Sequence, residues 1–189
     1  LPTYLLGRVG QVRLCVAIIG LQCDIHSPKM GNTKNEAEKM PDRYFEDFEI
    51  GEEWVYPAWT LDHHELVEFA KRYDPQPMHT DPVGALDGPY GGLIASGWQT
   101  ALHCIQPFLE EVMKHTAGLA SPGFETFQWL KPVRPEEPVT PMIKVLDSRR
   151  SKSKPNLGLV RFEFSGADSA GDTVWRADGT FFISARNSV

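Results

Sequence analysis

Two hydrophobic patterns divide this chain: helical spacing in its middle and strand-like runs after it. Leu66, Phe69, Ala70 and Tyr73 recur three and four positions apart, which predicts a helix over residues 63–73. Asp62 stands before it with Glu65 three residues on, a capping pattern. A second helix is predicted from about Gly97, with Ser96 as its cap. Its apolar positions are Trp98, Ala101, Leu102, Ile105, Leu109, Val112 and Met113. They cover more than one narrow stripe, so a buried central helix wrapped by a sheet is expected. Pro107 is expected to kink or split it. After a turn at Ser121-Pro122-Gly123 come four strand-like runs, 124–130, 139–146, 157–164 and 173–183. An earlier run, 53–61, carries Trp54, Tyr56 and Trp59 and reads as a strand with a proline interruption. Strand, helices and then consecutive antiparallel strands make an α+β pattern, not a doubly wound one.

Composition narrows this further. At 189 residues, 41% hydrophobic and 23% charged, the chain suits one soluble globular domain. A net charge of -6 argues against nucleic-acid binding in general. Three cysteines, Cys15, Cys23 and Cys104, form neither a disulfide framework nor a metal-ligand spacing, which suits a reducing cytoplasm. The apolar run 14–21 is too short to span a membrane. Residues 1–40 are expected to be an extension and polar linker rather than a working signal, with the folded domain over 41–186. There is no GxGxxG and no phosphate-binding loop. His63 and His64 face different directions on a helix, and no metal is assigned.

The chemistry gathers in the Pro- and Gly-rich stretch 74–95. Tyr73-Asp74-Pro75-Gln76-Pro77-Met78-His79-Thr80-Asp81-Pro82 sets a carboxylate and an imidazole five positions apart. The three prolines are expected to keep this segment out of a helix and hold it as a stiff loop. Such a loop can aim an acid and a base at one small volume, as general acid–base catalysis of water addition requires. Proline and aromatic neighbours are expected to raise the Asp74 pKa by desolvation. Read plainly, Asp74 could instead end a helix and His79 could bind backbone. Gln76 could orient the loop or meet an acyl substituent, and Asp81 suits a turn beside Pro82.

These residues resemble the Asp-x-Asn-Pro-x-His signature of the MaoC-like (R)-specific enoyl-CoA hydratases, which are hotdog proteins. Asp74, Pro77 and His79 match, with Gln76 in place of Asn. Gly91-Gly92-Leu93-Ile94-Ala95-Ser96-Gly97-Trp98 resembles the family's entry into its central helix, with Ser96 where a histidine is common. Phe127-Gln128-Trp129-Leu130-Lys131-Pro132-Val133-Arg134-Pro135 looks like the strand and turn that follow. The resemblance covers roughly 42–186. It implies a single hotdog domain, a long central helix wrapped by a curved antiparallel sheet. It implies hydration of an enoyl-CoA or dehydration of a 3-hydroxyacyl-CoA, chemistry of fatty-acid metabolism, with Asp74 and His79 working on one water. The Gly97 amide would polarise the thioester carbonyl, a glycine there letting the thioester approach closely. Gln76, Ser96 and Trp98 would contact the substrate. No cofactor is implied beyond the coenzyme A of the substrate, and a homodimer is expected. Lys131, Arg134, Arg149, Arg150, Lys152, Lys154 and Arg161 are candidates to meet its phosphates. A hotdog thioesterase and a non-catalytic acyl-CoA-binding protein are the alternatives.

Overall fold

A computed structural model describes residues 41–186. The expected extension over 1–40, with Cys15 and Cys23, lies outside the described residues. Five antiparallel strands form one sheet: β1 (Glu53–Val55), β2 (Gly118–Trp129), β3 (Thr140–Arg150), β4 (Leu157–Ala167) and β5 (Thr173–Ser184), in the spatial order β1-β3-β4-β5-β2. Three helices precede β2: α1 (His63–Tyr73), α2 (Pro77–Thr80) and α3 (Gly97–Glu111).

Strands β3 and β4 alternate inward and outward residues. Ile143 and Val145 on β3 and Val160, Phe162 and Phe164 on β4 face the core and are buried. Helix α3 lies on that face through Ala101, Cys104 and Phe108. Phe108 is the anchor. Its ring packs edge-on against Trp54 at 5.1 Å, Phe162 at 5.1 Å and Phe164 at 5.8 Å. Burying one such side chain is worth about 1.5–3 kcal/mol.

Helix α1 forms as the spacing predicts, with the Asp62 carboxylate accepting from the Glu65 N–H at 2.7 Å. Leu66 and Ala70 are buried, while Tyr73 is exposed. Four expectations need correction. Strand β1 stops at Val55, and the later part of 53–61 touches the sheet only through a bridge from Trp59 to Val139. Pro107 does not split α3, which runs on to Glu111; position 107 gives no N–H to the preceding turn. Ser121-Pro122-Gly123 lies inside β2, not before it. The strand absorbs it with register shifts against β5, and Gly123 takes φ +128 there, a value that glycine alone adopts readily.

Burial along α3 also departs from the expected pattern. The polar residues Gln99 and Thr100 are buried with Ala101, whereas Trp98, Leu102 and Leu109 are exposed. The apolar stripe on the outer face of α3 is therefore left exposed among the described residues. Strand β2, at the sheet edge, is exposed along nearly its whole length.

Candidate active site

Asp74 is where α1 ends. Its N–H still bonds the Ala70 carbonyl at 2.8 Å, but φ −152 and ψ 68 take it out of the helix. Pro75 cannot continue the ladder. Pro77 then starts α2 at its first position, where a missing N–H costs nothing. So the prolines do not keep His79 out of a helix, as the sequence suggests. They end one helix and begin another, and His79 sits on a single tight turn. Asp81 takes the expected turn role, accepting from the Val83 and Gly84 N–H groups at 3.1 and 3.0 Å.

The stretch before α3 is tied to this turn on one side and to the segment after β2 on the other. Ile94 N–H donates to Met78 O at 3.1 Å, and Ala95 N–H donates to Val133 O at 2.8 Å. The Ile94 carbonyl lies 2.9 Å from His79 Nδ1. A carbonyl only accepts, so Nδ1 carries the proton and a neutral His79 leaves Nε2 as a bare lone pair. That atom lies 3.5 Å from Asp74 Oδ2. His79 is only 4% exposed, so its ring is fixed by packing as well as by this bond.

Two donors hold the carboxylate. Ser96 Oγ donates to Oδ2 at 2.7 Å and Gln76 Nε2 donates to Oδ1 at 2.8 Å. Ser96 also accepts from the Trp98 N–H at 3.3 Å, capping α3. One hydroxyl thus ties the start of the central helix to the carboxylate. Burial alone would raise the Asp74 pKa. The hydrogen bonds from Gln76 and Ser96 and the nearby His79 outweigh it, and the net shift is downward. The expected upward shift is overturned because those donors favour the charged form. Replacing Ser96 by alanine removes one of them. The acid limb of any Asp74-dependent rate should then move to higher pH, and stability should fall by about 1 kcal/mol from the lost cap. A pH–rate profile beside a denaturant titration checks both effects.

Asp74, Gln76, His79, Gly97 and Trp98 all line one cavity of about 420 Å³. Ser96 is not among the lining residues and is wholly buried, with its hydroxyl on the Asp74 carboxylate. Residues that sequence reading left unassigned complete the wall, among them Met78, Tyr90, Ile94, Thr100 and Trp129. The space beside Gly97 is not open. A Cβ built there would lie 2.5 and 2.7 Å from Cε2 and Cδ1 of Trp129, and closer still to Nε1. Glycine is needed at 97 because an indole rests on it.

The basic residues do not form one patch. Lys131 is held by Asp168 and Asp172, Arg150 by Glu46 and Arg161 by Asp178. Arg149 lies 3.8 Å from Asp147. Lys152 and Lys154 lie in the β3–β4 turn, away from the cavity lining. Arg134 is at the cavity margin, donating to the carbonyl of Tyr90 at 2.5 Å. Its backbone N–H donates to Glu137 Oε2 at 2.9 Å, but its guanidinium has no carboxylate partner among the described residues. His103 is half-buried, its Nε2 3.8 Å from Glu65 Oε1, and burial lowers its pKa.

A helix cradled by one antiparallel sheet, with acid and imidazole at the helix entry, defines a hotdog-like α+β domain. Residues 47–163 match the MaoC-like domain, and the chain belongs to that family. A MaoC-like dehydratase from Rhodospirillum rubrum is similar in structure, with TM-score 0.67, 25% identity, 77% of this chain and 99% of that one covered. An (R)-hydratase from Pseudomonas aeruginosa shares the fold, with TM-score 0.58, 19% identity and coverage of 79% and 94%. An uncharacterized Bacillus subtilis protein, YdeM, is 28% identical over 115 residues, 61% of this chain and 80% of that protein. Among the described residues no helix is long and apolar enough to cross a membrane.

Proposed function

We propose that this protein is an acyl-CoA hydratase or dehydratase, adding water across the double bond of an enoyl-CoA or removing it from a 3-hydroxyacyl-CoA. The observation that carries the reading is a pair of acceptors 3.5 Å apart on one cavity: His79 Nε2, and Asp74 Oδ2, which keeps a second lone pair beside its bond from Ser96. Two acceptors at that distance can share one water by taking a hydrogen bond from each of its O–H groups. Hydration then moves one proton. The water oxygen bonds C3, its O–H breaks toward the pair, and the pair delivers a proton to C2. Negative charge that builds on the thioester oxygen meets the Gly97 N–H. That N–H is at the first helical position, where no intrahelical carbonyl accepts it. Coenzyme A enters only as part of the substrate, and Arg134 is the cation we assign to its phosphates. A role in fatty-acid metabolism in a reducing cytoplasm fits this chemistry.

The test is a panel of enoyl-CoAs followed by loss of conjugated absorbance and by free thiol. Loss of absorbance without thiol supports the hydratase. Thiol release would make the protein a thioesterase. Binding with neither would make it a carrier or scaffold.

A homodimer is part of the same proposal. Its support is the long exposed edge of β2 and the neighbouring stripe of Trp98, Leu102 and Leu109, exposed at 54%, 56% and 42%. Open strand edges and apolar patches of this kind call for a partner. Sedimentation is expected to give twice the chain mass, and Leu102→Glu is expected to shift it toward one. A wild-type monomer would remove this part of the proposal.

A further inference from the structure

The indole of Trp129 is the cavity group with no role so far. It ends β2, opposite Trp175 of β5. It packs edge-on against Trp98 at 5.3 Å and Phe127 at 5.2 Å. Phe127 in turn packs on the buried Trp175 at 5.4 Å. The ring is thus held by a chain of aromatics that reaches the core, although Trp129 itself is 49% exposed. Among the described residues nothing accepts its N–H, which leaves a donor free beside the reacting pair.

The way Trp129 meets Gly97 limits where that donor can point. Nε1, Cε2 and Cδ1 lie at similar short distances from the Cβ position of Gly97. An N–H corner aimed at that point would hold Cε2 and Cδ1 well farther off than Nε1. Similar distances mean that the ring lies flat there. An N–H lies in its ring plane, so it runs alongside the helix tip and not into it. The amide nitrogen of Gly97 is about 2.5 Å from its own Cβ position by standard geometry, so it lies within roughly 5 Å of Trp129 Nε1. Donors that close can both reach one oxygen at hydrogen-bond distance.

We propose that the Trp129 indole N–H is a second donor to the substrate's thioester carbonyl, joining the Gly97 amide; this rests on the hydratase reading. Charge on the enolate oxygen would be shared between a backbone and a side-chain donor. Both sit against apolar neighbours, where a hydrogen bond to a developing charge is worth more than in water.

Trp129→Phe tests this, because it keeps an aromatic ring on Gly97 and removes only the N–H and the second ring. The rate constant kcat is expected to fall by about 10²-fold, the loss typical of one such donor, with KM little changed. A second readout does not need turnover. A dienoyl-CoA has a chromophore conjugated to the carbonyl, and its absorbance moves to longer wavelength as the carbonyl is polarised. Wild type and Asp74→Asn are expected to show that movement on binding, and Trp129→Phe to show clearly less of it. A Trp129→Phe protein that binds the dienoyl-CoA with the full red shift and turns over at the wild-type rate would overturn the inference and leave the hydratase standing. Wild type that hydrates no enoyl-CoA and causes no red shift would overturn both.

Discussion

Asp74→Asn is expected to reduce hydration by about 10²–10⁴-fold with the fold intact, the range for one positioned acid–base group. The Asp74 carboxylate accepts from Ser96 and Gln76 on two oxygens while Oδ2 also faces His79 Nε2. An amide has one acceptor oxygen, so it cannot satisfy both donors and still serve the water. Its NH₂ would turn toward Ser96 or toward the His79 lone pair. His79→Ala should cost a similar factor, and the double variant little more than either single one, because both groups act on the same water. Steady-state kinetics of the three variants, with circular dichroism to confirm folding, settles it. Wild-type turnover in either single variant would remove the pair from the mechanism.

Gly97→Val should lose about 10²–10³-fold in rate, the loss expected for a disabled carbonyl donor. The cause differs from the one the sequence suggests. The new side chain would occupy the place of the Trp129 ring, so it must push the indole off the helix tip. Trp129 is half exposed and can swing outward, which spares the core. Asp74 and His79 are held by bonds to Gln76, Ser96 and Ile94, none of which involves residue 97. The acid–base pair is therefore expected to stay in place while turnover collapses. A crystal structure of the variant with its rate constant checks both halves. An unchanged rate with Trp129 displaced would mean that neither Gly97 nor Trp129 holds the carbonyl.

Periodicity made much of this architecture readable. The cap at Asp62 and the span of α1 followed from local rules, because one turn of chain contains all the partners involved. The start of α3 at Ser96-Gly97 was legible for the same reason. Errors arose where distant residues decide. Apolar spacing along α3 cannot say which stripe meets the sheet, and so Trp98 and Leu102 were expected inside while Gln99 and Thr100 took that place. Ser121-Pro122-Gly123 looks like a turn until pairing with β5 holds it as a bulged strand. In the site, Asp74 and His79 were legible as a pair, and both plain readings also describe them: Asp74 does end a helix and His79 does bind backbone. Those same contacts aim the two lone pairs. The downward pKa shift was not legible, since the Ser96 donor arrives from 22 residues away. Nor was the seat of Trp129 on Gly97, which only the register of β2 against β5 creates.

The most direct test of the account is to run the reaction in ¹⁸O-labelled water and locate the label by mass spectrometry. If Asp74 and His79 add a shared water across the double bond, the product is a 3-hydroxyacyl-CoA with one ¹⁸O on C3 and its thioester intact. Label in a free carboxylate, with coenzyme A released, would contradict it.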